Sequence, residues 1–174
     1  MLILEKDFYV GGTTARSGGV MWIPNNLFMK RDSIEDSEEK SMLYLDTLAA
    51  ESPPAPGNTP ARRRAYVREA PKMIEFLVGQ GLPIDRTYSW PDYYDEKPGA
   101  VKAGRSVVAK YFNVNELGEW KKRLRPGFME MPASMEELLA LPYYKKLSSS
   151  RKMFAKLIGR IILSKLTGKH YTAA

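Results

Sequence analysis

The chain has 174 residues, 44% of them hydrophobic and 27% charged, the make-up of an ordered globular domain rather than of a disordered tail. Its 27 basic and 20 acidic residues leave a net charge of +7, which attracts acidic partners, although a solvated basic surface is the commoner use of such an excess. The absence of cysteine excludes a disulfide framework, a zinc–thiolate site and a cysteine nucleophile, and the single histidine, His170, argues against a multi-histidine metal site or a serine–histidine triad.

In chain order, Met1 to Glu5 is an apolar run ending in charge and predicts a strand buried on both faces of a sheet. The glycine-rich stretch Gly11 to Gly19 suits close backbone approach to a ligand. Val20 to Ile23 predicts a second strand, stopped by the turn residues Pro24-Asn25-Asn26. A helix is expected from about Ser37 to Ala50, with Ser33 to Ser37 offering caps. A second begins at Thr59-Pro60, a cap followed by proline in the first turn, and runs to about Val78. Pro71 predicts a break in it near Ala70, because proline inside a helix costs about 3 kcal/mol. Strands follow at Ile84 to Tyr88 and Ser106 to Phe112, separated by the aromatic loop Trp90-Pro91-Asp92-Tyr93-Tyr94.

Helical signals dominate from Asn115 onward. They comprise a short turn through Trp120, a capping box Ser134-x-x-Glu137, and a longer helix after Ser150. In that last helix Met153, Phe154, Leu157, Ile158, Ile161, Ile162 and Leu166 share one face, punctuated by Lys152, Lys156, Arg160 and Lys165. Core packing is the commoner fate of such a face. Docking on an anionic membrane or on nucleic acid is the alternative, and it would make the chain a noncatalytic basic module acting through residues 151–169. No run approaches the roughly 18 apolar residues of a membrane span, and a cytoplasmic location, with peripheral membrane contact at most, is expected.

The most informative constellation joins an apolar strand, an acidic residue at its end and a glycine–hydroxyl loop. In a dinucleotide-binding fold, an acidic side chain so placed accepts hydrogen bonds from the adenosine ribose, which suits Glu5. Glycines let backbone amides approach a pyrophosphate, and Thr13, Thr14 and Ser17 add hydroxyl donors. In order along the chain stand Leu-Glu-Lys, Gly-Gly-Thr-Thr-Ala-x-Ser-Gly-Gly, x-Trp-Ile-Pro-Asn-Asn, Pro-Asp-Tyr-Tyr, Gly-Arg-Ser and Leu-Gly-Glu-Trp. That series resembles the early part of the FAD-dependent 3-ketosteroid Δ1-dehydrogenases, within the flavoprotein group that includes fumarate reductase. The likeness spans Leu2 to Trp120 and continues more loosely to the end.

The resemblance implies an α/β fold: a partial Rossmann-like FAD-binding domain with its active-site loop over residues 1–114, and a helical extension of that domain over residues 115–174. It implies FAD as cofactor and a ketosteroid-like substrate. Glu5 would hold the ribose, and Gly11, Gly12, Thr13, Thr14, Ser17, Gly18 and Gly19 would line the pyrophosphate and flavin. Tyr93 matches an active-site tyrosine that assists proton abstraction beside the substrate ketone, and Trp90 lies where the family sets an aromatic wall against the steroid. A tyrosine titrates near 10, so it acts as a base only where neighbours stabilise its phenolate. Without the resemblance, aromatic residues beside prolines read simply as core plugs. Arg105, in Gly-Arg-Ser, is left open between orienting a loop and contacting ligand. The family pattern also has a first strand, a G-x-G-x-x-G turn and a C-terminal part, which this sequence lacks, so the chain is expected to be a truncated reading frame, a gene fragment, or one subunit of a split enzyme whose complementary chain supplies the strand and turn.

Overall fold

The computed structural model describes residues 4–53, 55–110, 112–127, 132–134, 137, 148–168 and 171–172. The chain divides into two compact units, Met21–Val107 and the two flanking stretches Met1–Val20 and Val108–Ala174.

The unit Met21–Val107 is built on a three-stranded sheet in the order β1-β3-β2, with β1 at Met21–Trp22, β2 at Ile84–Arg86 and β3 at Ser106–Ala109. Strands β1 and β3 are antiparallel, Met21 opposite Val107 and Trp22 opposite Ser106. The turn residues after β1 do more than stop a strand: they also start helix α1, Leu27–Arg31. Asn26 caps it, its Oδ1 accepting from the amides of Phe28 and Met29 at 3.0 and 3.1 Å. The other end of the same amide donates to the carbonyls of Ile23 (2.7 Å) and Gly104 (2.9 Å). A fully buried polar side chain is thereby satisfied, and it ties the loop before β3 to the start of α1.

Helix α2, Glu38–Glu51, begins where expected, with the Ser37 hydroxyl accepting from the Lys40 amide. Helix α3, Pro60–Gly79, is capped by Thr59 and carries proline in its first turn. The break expected near Ala70 does not occur, and α3 runs unbroken through Pro71. Val67, Ala70, Pro71 and Ile74 are all buried on one side of the helix. Packing of that face offsets the lost amide hydrogen bond, so tertiary contact overrides a local penalty. Across α2 and α3, Arg68 pairs with Glu38 at 2.9 Å and Arg63 with Asp46 at 2.8 Å. The core beneath joins Ile23, Phe28, Ala70, Ile74, Ile84 and Val107, with Met21, Leu27 and Val78 packed against it.

In the other unit, the expected strand from Met1 to Glu5 falls largely on residues 1–3, outside the described residues, and Leu4 and Glu5 belong to no described strand. Val10 forms a parallel bridge with Leu124. The strand expected over Ser106 to Phe112 appears as β3 and a separate β4, Phe112–Asn113, which pairs antiparallel with β5, Tyr171–Thr172. A 3-10 helix, Val114–Arg123, kinks at Gly118. The capping box is present: the Ser134 amide donates to Glu137 at 3.0 Å and the Glu137 amide to the Ser134 hydroxyl at 3.2 Å. Helix α4, Ser148–Thr167, receives a Glu137–Arg160 ion pair at 2.8 Å. Of its predicted apolar face only Leu157 is buried, while Phe154, Ile158, Ile162 and Leu166 remain exposed. No described helix is long and apolar enough to cross a membrane.

Asn26→Ala removes a cap and leaves two carbonyls unmatched, so it is expected to destabilise the chain by about 2–4 kcal/mol. Urea denaturation measures this as a lowered midpoint at unchanged slope.

Candidate active site

The loop between β2 and β3 carries Trp90, Tyr93 and Arg105, and its shape is set by charge. Arg105 is 1% exposed, and the side chains of its partners Asp36 and Asp92 are 0% and 1% exposed. Its guanidinium grips Asp36 with two bonds, Nη2 to Oδ1 at 2.6 Å and Nε to Oδ2 at 2.9 Å, and reaches Asp92 through Nη1 at 2.8 Å. Two buried carboxylates face one cation, so further donors are required. Asp36 receives them from the amides of Asn25 (2.8 Å) and Ser37 (3.0 Å). Asp92 receives them from the Trp22 indole (2.6 Å) and the Val101 amide (2.9 Å). Arg105 is therefore an orienting residue in this fold, occupied on both sides by carboxylates.

Above the guanidinium lie rings. Its central carbon stands 5.3 Å from the Trp22 ring centre and 5.7 Å from that of Tyr44, within the reach of cation–π attraction. Trp22 stacks between Tyr44 (5.8 Å) and Tyr66 (6.2 Å), and the Tyr66 hydroxyl donates to the Trp22 carbonyl at 2.5 Å. Burial pushes the phenols of Tyr44 and Tyr66 above their ordinary value.

Against this frame Tyr93 is 89% exposed, touching only Tyr94 edge-on at 4.9 Å among the described aromatic contacts. Trp90 is half-buried, and its indole nitrogen is buried with no hydrogen-bond partner among the described residues. An unmatched donor of that kind is costly unless a ligand acceptor meets it.

Glu5 and the glycine loop sit in the other unit. Glu5 is exposed and its Oε1 accepts from the Asp7 amide at 3.0 Å. Arg125 donates to Asp7, holding that carboxyl below the ordinary carboxylate range. Val10 is stitched on both sides, its amide to the Arg123 carbonyl (2.7 Å) and its carbonyl to the Arg125 amide (2.9 Å). From that anchor the chain enters the loop. Thr14–Arg16 forms one turn of 3-10 helix, and the Ser17 hydroxyl bridges the Thr14 carbonyl and the Gly19 amide, each at 3.0 Å.

The glycines divide by role. Gly11 has φ +111° and a side chain there would meet Ala15 Cβ at 2.8 Å, so the turn itself requires glycine. Gly12 and Gly19 have φ +51° and +62° with nothing within 4 Å of where a Cβ would stand. Thr13, Thr14 and Ser17 are exposed and Gly18 is half-buried. Among the described residues the amides of Gly12 and Thr13 meet no acceptor. Amides that meet no acceptor, on a loop with open space where the Gly12 and Gly19 side chains would stand, are the kind of donor that a pyrophosphate takes, so the residues present fit the cofactor. No cluster of histidine and acidic residues suited to a metal occurs among the described residues.

Comparison with known proteins decides the family, because the model of the FAD binding domain matches residues 1–167. The chain belongs to that family. Its cofactor is FAD. Over 135 residues the chain is 36% identical to a 3-oxosteroid 1-dehydrogenase of Mycolicibacterium smegmatis, covering 77% of this chain and 23% of the relative. It is 29% identical over 142 residues to a 4-oxocyclohexanecarboxylate 2-dehydrogenase of Sinomonas cyclohexanicum, covering 79% of this chain and 23% of that one. The crystal structure of the 3-ketosteroid Δ1-dehydrogenase of Sterolibacterium denitrificans, in complex with 1,4-androstadiene-3,17-dione, superposes with a TM-score of 0.73 at 29% identity. It covers 92% of this chain and 28% of that one. The chain thus spans about a quarter of the length of these relatives. These matches support the flavin reading of the sequence and lend none to the basic-module alternative.

Sequence reasoning missed Asp36 and Tyr44 altogether, and Asp92 passed as part of a motif. The sequence held a signal for Asp92 alone, an acid in Pro-Asp-Tyr-Tyr on the same loop as the base in Gly-Arg-Ser; Asp36 and Tyr44 had none.

Both raised phenols bind their proton more tightly folded than unfolded. Their contribution to stability is therefore complete below about pH 10 and lost as pH rises through the folded values. An alkaline stability series should show that decline, and replacing Tyr44 and Tyr66 together by phenylalanine should flatten it.

Proposed function

We propose that the chain is the early part of an FAD-dependent dehydrogenase that introduces a double bond beside the ketone of a ketosteroid-like substrate. Residues 1–114 would form a partial Rossmann-like FAD-binding domain with its active-site loop, and residues 115–174 its helical extension. The observation that carries the reading is the glycine loop: among the described residues the amides of Gly12 and Thr13 meet no acceptor, Gly12 has positive φ with open space where a Cβ would stand, and the chain is of the FAD binding domain family. The activities of its relatives suggest the substrate class. They include both a 3-oxosteroid and a 4-oxocyclohexanecarboxylate dehydrogenase, and what these names share is a ring ketone.

On this reading the Glu5 carboxylate accepts from the adenosine ribose. Gly11, Gly12, Gly18 and Gly19 bring the backbone against the pyrophosphate and flavin, with Thr13, Thr14 and Ser17 donating from their hydroxyls. FAD, when bound, supplies the hydride acceptor for the carbon one bond beyond the α-position. Tyr93, which is exposed and meets only Tyr94 among the described aromatic contacts, takes part in removing the acidic α-proton. Trp90 offers an apolar wall with one indole donor unmatched among the described residues, which suits a substrate that is mostly hydrocarbon with an oxygen at its edge. The absence of cysteine suits a reducing compartment such as the cytoplasm.

The test is reconstitution with FAD of a protein that contains this chain together with the segments that the longer relatives possess. The expected result is a bound-flavin absorption spectrum and ring-ketone dehydrogenation, and a protein that stays colourless at saturating FAD refutes the cofactor assignment. In that protein Glu5→Gln should weaken FAD binding about tenfold, the scale of one hydrogen bond to a charged group. Tyr93→Phe should lower kcat at least a hundredfold while flavin remains bound.

A further inference from the structure

We propose that Tyr44 and Arg105 are positioning residues for Tyr93, because between them they hold both of its chain neighbours. The inference rests on the reading of Tyr93 as the reacting phenol.

On one side stands Asp92. Its carboxylate is fixed by Arg105 Nη1 at 2.8 Å, the Trp22 indole at 2.6 Å and the Val101 amide at 2.9 Å. Its own amide donates to the Val101 carbonyl at 3.0 Å, so the main chain at residue 92 is also closed across the loop. On the other side stands Tyr94, whose amide donates to the Tyr44 hydroxyl at 3.2 Å. The far limb of the loop is pinned to the same helix. Gly99 has φ +81°, and a Cβ there would stand 2.5 Å from the Lys40 carbonyl and 2.6 Å from the Tyr44 amide. The loop backbone therefore lies directly on α2.

Tyr93 itself takes no share in this holding. A residue 89% exposed, flanked by two neighbours tied into the interior, is not explained by packing. An exposed tyrosine on a surface loop needs no buried ion pair beneath it. A phenol that must meet a proton on a bound substrate does need a fixed origin, since misplacement of about 1 Å costs on the order of a hundredfold in rate. The clamp supplies that origin with the phenol left free to reach the ligand. It also assigns Tyr44 a task separate from stacking: its ring packs on Trp22 while its oxygen accepts the Tyr94 amide.

Tyr44→Phe separates the two tasks, because it keeps the ring and removes only the acceptor. Two readings are taken: amide hydrogen exchange of the chain itself, and turnover of the 1,2-dihydro counterpart of 1,4-androstadiene-3,17-dione by the FAD-loaded protein that contains it. The expected result is faster exchange at Tyr94 with unchanged exchange at the core residue Ile74. With it, kcat falls about tenfold while KM stays within about twofold, the signature of lost orientation rather than lost binding. Arg105→Lys should loosen Asp92 in the same way, seen as faster exchange at Asp92 and Val101. Unchanged exchange at Tyr94 in Tyr44→Phe overturns the clamp. Faster exchange at Tyr94 with wild-type kcat overturns its role in positioning. Full activity of Tyr93→Phe instead removes the underlying reading of Tyr93, and the clamp is then judged on exchange alone.

Discussion

The unit Met21–Val107 is organised around one guanidinium. Arg105 is sealed from water between Asp36 and Asp92, and the segments that meet there come from widely separated parts of the sequence: the approach to α2, the aromatic loop, and Trp22 on β1. Taking an arginine and two carboxylates out of water is unfavourable, and their attraction offsets the penalty only when the remaining lone pairs are matched. Here the matching is supplied by the Asn25, Ser37 and Val101 amides and the Trp22 indole. Each of these donors is thereby fixed in turn. Removing one partner of such a network costs about 3–5 kcal/mol, since an uncompensated charge stays buried. That asymmetry makes the arrangement a constraint on the whole unit.

The aromatic residues extend the constraint outward. Trp22 is held by its indole nitrogen to Asp92 and by its carbonyl to Tyr66, and it stacks on both Tyr44 and Tyr66. The ring faces supply negative potential above a cation that already has carboxylates at its edges. Polar groups and apolar surface are in this way buried in the same place. The result is a loop that carries reactive residue types on a backbone with little freedom, the usual division of labour between a rigid scaffold and the loop it presents.

In the other unit the glycine loop shows a different economy. Its entry is fixed by the backbone bonds of Val10 to Arg123 and Arg125, and its turn is closed by Ser17. Between those anchors the amides of Gly12 and Thr13 meet no acceptor among the described residues. A phosphate-binding loop must satisfy two demands, namely enough internal bonding to hold its shape and enough unsatisfied donors to bind an anion. The family to which residues 1–167 belong is that of the FAD binding domain. The matching relatives are about four times as long as the stretch they share with this chain.

The sequence by itself determined whatever depends on neighbours along the chain. The caps at Ser37 and Thr59, the proline in the first turn of α3 and the reciprocal pair Ser134–Glu137 all appear as read, because a helix end needs a donor or acceptor within three or four residues. The ordered motifs gave the family for the same reason: they are local signatures. Three outcomes depended on contacts between distant residues. Pro71 stays helical because a buried face outweighs a lost hydrogen bond. Asn26 starts a helix because the carbonyls of Ile23 and Gly104 hold its amide in place. Arg105, undecided between ligand and loop, is committed to the loop by Asp36, 69 residues away, and by Asp92, 13 residues away. Local propensity cannot anticipate such choices, since the free energy that settles each comes from burial and charge pairing that exist only once the chain has closed on itself.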